Sequence, residues 1–161
     1  EDGSAQDAVI AQNESQRRVM WERRESAAEI TLGLAGSIET DIAVPLDNVP
    51  TFLEQVSSRV KEIDPTGEEL YISHLGDGNL HYTFYPTDTS GLLKEPITEA
   101  IEDVVLALNG SFSAEHGIGL SKKSSMARRK DPIALEMMSA IKTAFDPKNL
   151  MNPGKVYPEK G

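Results

Sequence analysis

The chain has 161 residues, a mass of 17.6 kDa, a formal net charge of −10 and a sequence pI near 4.7. An acidic surface of that size argues against a nucleic-acid backbone binder and against docking on an anionic membrane. Cysteine is absent, which excludes disulfide frameworks, zinc ribbons, iron–sulfur clusters and thiol nucleophiles together. At 39% hydrophobic and 26% charged residues the composition is that of an ordered globular chain. No apolar run reaches the roughly 18–20 residues that span a bilayer. We therefore expect one domain, residues 1–161, in the cytoplasm. It begins at Glu1 with no signal-peptide pattern, as expected for a fragment or processed product.

In chain order, residues 5–30 read as a long helix with Ser4 as N-cap and only a loose apolar stripe. Gly33 and Gly36 break it. Residues 38–44 alternate apolar and polar, as a strand does, and stop at Pro45. Val49, Phe52, Leu53, Val56, Val60 and Ile63 follow helical spacing, which predicts a helix over 49–63 capped by Asp47 or Asn48. Residues 69–75 and 79–85 are rich in aromatic and β-branched residues and flank Gly76-Asp77-Gly78, a hairpin signal. A helix is expected over 91–108, with a kink near Pro96, closed by Asn109-Gly110. Then come a short strand at 111–114, helices at 122–129 and 132–145 (the latter capped by Asp131), and a Pro/Gly-rich tail. Few strands interleaved with helices predict an α+β fold, an antiparallel sheet with helices packed on it.

All three histidines fall in two Gly-rich segments, around the hairpin and in Glu115-His116-Gly117-Ile118-Gly119. With Asp77-Gly78 as a two-residue turn, Gly76 pairs with Asn79, Leu75 with Leu80 and His74 with His81. Directly opposed residues share a face, close enough for two imidazoles to hold one metal ion. The opposite face then carries Leu75, Leu80, Tyr82 and Phe84 as core. The plainer reading is a pair of partly buried, hydrogen-bonded histidines. For a third ligand, Glu115 is the best-placed carboxylate. If residues 115 and 116 are extended, their side chains diverge, which leaves His116 free as a general base. Here too a plain glycine loop is the alternative.

Three motifs taken together resemble the C-terminal domain of FAD-linked oxidases: His74-Leu-Gly-Asp-Gly-Asn-Leu-His81, Ser113-Ala-Glu-His-Gly-Ile-Gly-Leu-Ser-Lys122 and Asp146-Pro-Lys-Asn-Leu-Met-Asn-Pro-Gly-Lys155. Trp21-Glu-Arg-Arg-Glu25 and Asp41-Ile-Ala-Val-Pro45 add to the likeness. That family includes D-lactate dehydrogenases, the glycolate oxidase flavin subunit and D-2-hydroxyglutarate dehydrogenase. The resemblance implies a divalent metal (zinc, manganese or iron) on His74, His81 and Glu115, and His116 as the base that takes the hydroxyl proton of a 2-hydroxy acid. It implies Arg24 as the grip on a substrate carboxylate and hydride transfer from substrate to FAD.

The resemblance also marks departures. Relatives that oxidise D-2-hydroxyglutarate carry Lys where this chain has Glu39, Asn where it has Thr83, and Thr where it has Ala28. Glu39 puts an anion where a second substrate carboxylate would sit, so a substrate without one is expected, unless Glu39 turns to solvent or pairs with Arg24. Lys122 matches a family lysine but reads equally as an exposed helix-start residue. Asn152 and Lys155 are candidates for a flavin contact, against a plain turn that ends the domain. Met126, Met137, Met138 and Met151 read as core filling.

FAD itself is expected on an N-terminal flavin domain that this stretch lacks, so the fragment alone should be inactive. The expected partners are that domain, a small 2-hydroxy acid and an electron acceptor of unknown identity, with no nucleic acid and with a homodimer left open. Competing readings are a stand-alone metal-binding or ligand-sensing module and a metal-dependent hydrolase.

Overall fold

A computed structural model describes residues 7–31, 36–74 and 76–158, with the side chains of 27–31 excepted. The chain divides into two compact units, residues 1–35 and 36–161. The first holds α1 (Glu14–Thr31). The helix starts nine residues later than the sequence pattern predicts. Asn13 explains the start, because its Oδ1 accepts the amide of Gln16 at 3.0 Å, an N-cap bond. The expected cap, Ser4, and the glycine break at Gly33 lie outside the described residues. Val19, Met20 and Trp21 are all exposed on α1.

The second unit is α+β. Its elements are β1 (Ile38–Ala43), α2 (Val49–Ile63), β2 (Glu68–His74), β3 (Asn79–Tyr85), α3 (Lys94–Ala107), α4 (Lys123–Arg129) and α5 (Pro132–Phe145). The three strands form an antiparallel sheet in the order β1-β3-β2, with β3 in the centre. Alternation sorts the side chains. Ile38 and Ile42 of β1 and Leu80, Tyr82 and Phe84 of β3 turn to one face. There they form a buried core with Phe52, Val56 and Val60 of α2 and Ile97, Ile101, Val104 and Val105 of α3. Phe52 meets Tyr82 edge-on at a centroid distance of 6.1 Å. The opposite face is left for the site.

Local departures from expectation have identifiable causes. Neither Asp47 nor Asn48 caps α2 through its side chain. Residues 46–48 form a 3₁₀ turn instead, and Asn48 Nδ2 donates to the carbonyl of Leu108 at 3.2 Å. Gly91 at φ +89° and a bond from the Lys94 amide to its carbonyl delay α3, which places Pro96 in the first turn, where its missing N–H costs nothing. Asp131 caps α5 as expected, accepting from the amide of Ala134 at 2.9 Å. Arg129 pins α4 to α3 through Glu102 (3.0 Å) and Asp103 (2.7 Å).

The hairpin is the main correction. His74 pairs with Asn79, and Ile72 rather than His74 lies opposite His81. The turn is therefore a four-residue loop, 75–78, and the register is slipped by two residues from the expected one. A two-residue slip preserves the face, so His74 and His81 still share one, now diagonally. Leu75, expected in the core, lies outside the described residues. The loop is held by Gly78 at φ +75°, whose carbonyl accepts the amide of Val44 at 3.1 Å. A Cβ at Gly78 would stand 2.1 Å from Val44 O. Gly78→Ala should cost at least about 2 kcal/mol, or roughly 4–8 °C in Tm for a chain of this size. Thermal melts followed by circular dichroism check this.

Of the described helices, none is long and apolar enough to cross a membrane. On α5, Ile133, Met137, Ile141 and Phe145 form an exposed stripe at four-residue spacing, and the helix has no buried residue. Met137 and Met151 are thus exposed, contrary to the expectation that the methionines fill core; Met126 is buried as expected.

Candidate metal and substrate site

The core-free face of the sheet is built from alternate residues. Glu39 pairs with Thr83, Asp41 with His81, and Ala43 with Asn79. Glu39, Thr83 and His81 therefore lie side by side, with Asp41 among them. Thr83 is buried, whereas Glu39 is exposed and accepts a hydrogen bond from Ser37 Oγ at 3.1 Å.

Onto this face folds the segment after α3. Ala43 and Ser111 exchange backbone bonds at 3.0 and 2.7 Å, but no strand follows at 111–114. The next amides are drawn to a side chain instead. Asp41 Oδ2 accepts from the amides of Ala114 (3.2 Å), Glu115 (3.0 Å) and His116 (2.8 Å) and from Lys122 Nζ (3.2 Å). Burial works to raise the Asp41 pKa. The His116 amide, the Lys122 ammonium and the Glu115 amide outweigh it, and the group sits below the usual carboxylate range. Lys122 is thereby accounted for as a mostly buried partner of Asp41 and Ser113 rather than an exposed helix start.

This wrapping brings Glu115 and His116 to the histidines. His81 Nε2 is 3.0 Å from Glu115 Oε1, and His116 Nε2 is 3.8 Å from the same oxygen. The His81 and His116 rings stack at 5.1 Å, while His74 meets His81 edge-on at 5.2 Å. The expectation that Glu115 and His116 diverge does not hold. The loop is not extended, and both side chains reach one small space. Among the described residues, Asp41, His81, Glu115 and His116 each offer a donor atom within 4.8 Å of the others. His74 flanks that group on the same face.

The donors are nitrogen and oxygen alone, a set suited to zinc, manganese or iron. Asp41 Oδ1 is buried without a hydrogen-bond partner and lies 3.9 Å from His81 Nδ1. Asn79 Oδ1, two residues from His81 on β3, is likewise buried and unpartnered. Buried oxygens without partners are costly unless a cation or donor completes them, so the residues fit a divalent metal. Asp41 is the residue that sequence reasoning left without a role. Its signal was an aspartate in mid-strand, a position that disfavours it.

Arg24 is exposed on α1, in the first unit. Asn152 and Lys155 lie in the tail, where Lys155 Nζ donates to Asn152 Oδ1 at 3.3 Å. They edge an apolar groove formed by Met138, Ile141, Met151 and Tyr157. Asp146 organises the tail by accepting the amides of Leu150 (2.9 Å) and Met151 (2.8 Å) and pairing with Lys142. With Lys142 the leading cause, its pKa falls to about 2.

Residues 1–156 match the family described as FAD linked oxidases, C-terminal domain. The chain belongs to that family. It is 34% identical to a D-2-hydroxyglutarate dehydrogenase of Stutzerimonas stutzeri, over 98% of this chain and 35% of the relative. It is 32% identical to a protein named "Probable D-lactate dehydrogenase, mitochondrial" of Danio rerio, over 96% and 32%. A mitochondrial D-2-hydroxyglutarate dehydrogenase of Arabidopsis thaliana is 31% identical, over 98% and 28%. The chain thus spans about a third of the length of the curated relatives it matches.

Proposed function

We propose that this chain is the substrate- and metal-binding part of an FAD-dependent dehydrogenase that oxidises a 2-hydroxy acid. The observation that carries the reading is the convergence of His81, Glu115 and His116 on one sheet face, beside His74 and over a buried aspartate. The names of the relatives support the substrate class.

In this reading His74, His81 and Glu115 hold a divalent metal, which supplies Lewis-acid polarisation of the substrate hydroxyl and carboxylate. His116 is the base. Its ring is 62% exposed and open to a substrate, with Nδ1 3.9 Å from Asp41 Oδ2 and Nε2 3.8 Å from Glu115 Oε1, so a ring nitrogen is available to take the hydroxyl proton. The 2-hydroxy acid becomes a 2-oxo acid, and FAD, held mainly outside this chain, supplies the hydride acceptor. Arg24 grips the substrate carboxylate, for which its planar fork is suited. Asn152 and Lys155 face the flavin-bearing part of the protein, and the apolar stripe of α5 is the surface that part would cover. The test is a screen of D- and L-2-hydroxy acids against the full-length protein, following flavin bleaching. Bleaching by none of them overturns the reading.

Substrate choice falls to Glu39 and Thr83, which are paired across β1 and β3 beside His81. An exposed anion at Glu39 repels a second carboxylate. Monocarboxylate 2-hydroxy acids should therefore be used with kcat/KM about tenfold or more above dicarboxylate ones, equivalent to roughly 1.4 kcal/mol of discrimination. Glu39→Lys should narrow or invert that ratio. A preference of the unaltered protein for D-2-hydroxyglutarate would show that Glu39 does not select against the dicarboxylate.

A further inference from the structure

Asp41 occupies the middle of β1 at 2% exposure, where an unpaired carboxylate would be costly. Its two oxygens are used unequally. Oδ2 gathers three successive amides, those of residues 114–116, together with Lys122 Nζ, while Oδ1 has no partner and faces His81 Nδ1 at 3.9 Å.

We propose that Asp41 is the positioning residue of the donor cluster. Oδ2 fixes the backbone that presents Glu115 and His116, and Oδ1 is kept for the Nδ1 proton of His81. The second half rests on the metal reading above. An ion between His81 and Glu115 engages Nε2, the nitrogen 3.0 Å from Glu115 Oε1, and Nε2 must then carry a lone pair. A neutral imidazole in that state bears its proton on Nδ1, which needs an acceptor. A shift of under about 1 Å brings Asp41 Oδ1 into hydrogen-bond range. The result is a carboxylate–histidine–metal arrangement in which one buried side chain sets two ligands and the base at once.

Asp41→Asn separates this from a purely structural role because it keeps the volume and one acceptor oxygen. If that oxygen stays with the amides, the new amide NH₂ faces His81 Nδ1 and favours a lone pair there. The ring proton moves to Nε2, where it blocks the ion.

The experiment compares the wild-type chain with Asp41→Asn. Zinc affinity is measured by competition with a chromophoric chelator, and amide hydrogen exchange is measured without metal. Zinc affinity should fall about 10–100-fold in the variant while the melt stays cooperative. The amides of Glu115 and His116 should exchange about tenfold faster or more as a charged acceptor becomes a neutral one, with those of α2 and α3 unchanged and that of Ala114, which also bonds the Asp41 carbonyl at 3.0 Å, less affected. Zinc-loaded wild type should also show an exchange-protected His81 Nδ1 proton in ¹H–¹⁵N spectra, which decides the second half even if the variant does not fold. Zinc affinities within twofold of each other, or an unprotected Nδ1 proton, would overturn the role of Oδ1. Unprotected 114–116 amides in wild type would overturn that of Oδ2. Absence of zinc binding by wild type would sink the metal reading and the Oδ1 half with it, while the exchange result still judges the Oδ2 half.

Discussion

Replacing His116 with alanine in the full-length protein should slow single-turnover flavin reduction by a 2-hydroxy acid about 10²–10⁴-fold, with flavin binding unchanged. The structure makes this an unusually clean substitution. What Asp41 holds at this position is the backbone amide, at 2.8 Å, and alanine retains that amide. The ring itself is 62% exposed and stacks on His81 at 5.1 Å, and its loss leaves untouched the backbone bonds that hold the loop and Glu115. A lost rate then reports a lost proton acceptor rather than a displaced ligand. If His116→Ala reduces its flavin at the wild-type rate, the base lies elsewhere.

The second large effect concerns the metal. His81 sits at the centre of the cluster, 3.0 Å from Glu115 and in ring contact with both other histidines. His81→Ala should lower zinc affinity by roughly 100-fold or more, beyond the 10–100-fold typical of an outer partner. His74→Ala should also weaken binding, by about tenfold or more, if His74 completes the set with His81 and Glu115. Equal affinity in wild type and His74→Ala would remove His74. The third place would then pass to Asp41 or His116, the two other residues whose donor atoms already lie within 4.8 Å of His81 and Glu115. Zinc titration monitored by chelator competition distinguishes the outcomes. Both substitutions lie on the core-free face, so neither should empty the core formed by the sheet with Phe52 and Ile101.

Much of the fold was legible from local rules. The apolar spacing of Val49, Phe52, Val56 and Val60 placed α2 at its observed bounds, and Asp131-Pro132 placed the start of α5. These signals are short-ranged, because helical periodicity and capping act over one or two turns. The β-hairpin was equally visible in its two β-rich runs, but its register was not. A loop of two residues and one of four fit the same sequence, and the choice was made from outside the hairpin, where Gly78 packs against Val44. The slip by two kept His74 and His81 on one face, their rings 5.2 Å apart. A slip by one would have separated them. The late start of α1 goes with a cap that the apolar pattern does not reveal, the Asn13 side chain accepting the amide of Gln16.

The sequence by itself determined that this is an acidic, cysteine-free α+β chain whose three histidines sit in two glycine-rich segments. Its motifs marked it as resembling the substrate domain of FAD-linked oxidases. Those are matters of composition, periodicity and spacing, which short-range physics enforces wherever the chain goes. Only the tertiary structure decided that Glu115 and His116 point into the same space and that Asp41 lies beneath them. Those facts depend on residues 114–116 meeting a carboxylate more than seventy positions earlier. Local propensity cannot encode a meeting between segments so far apart. It follows from closing the sheet, burying one carboxylate and leaving the nearest free amides as the donors that can satisfy it.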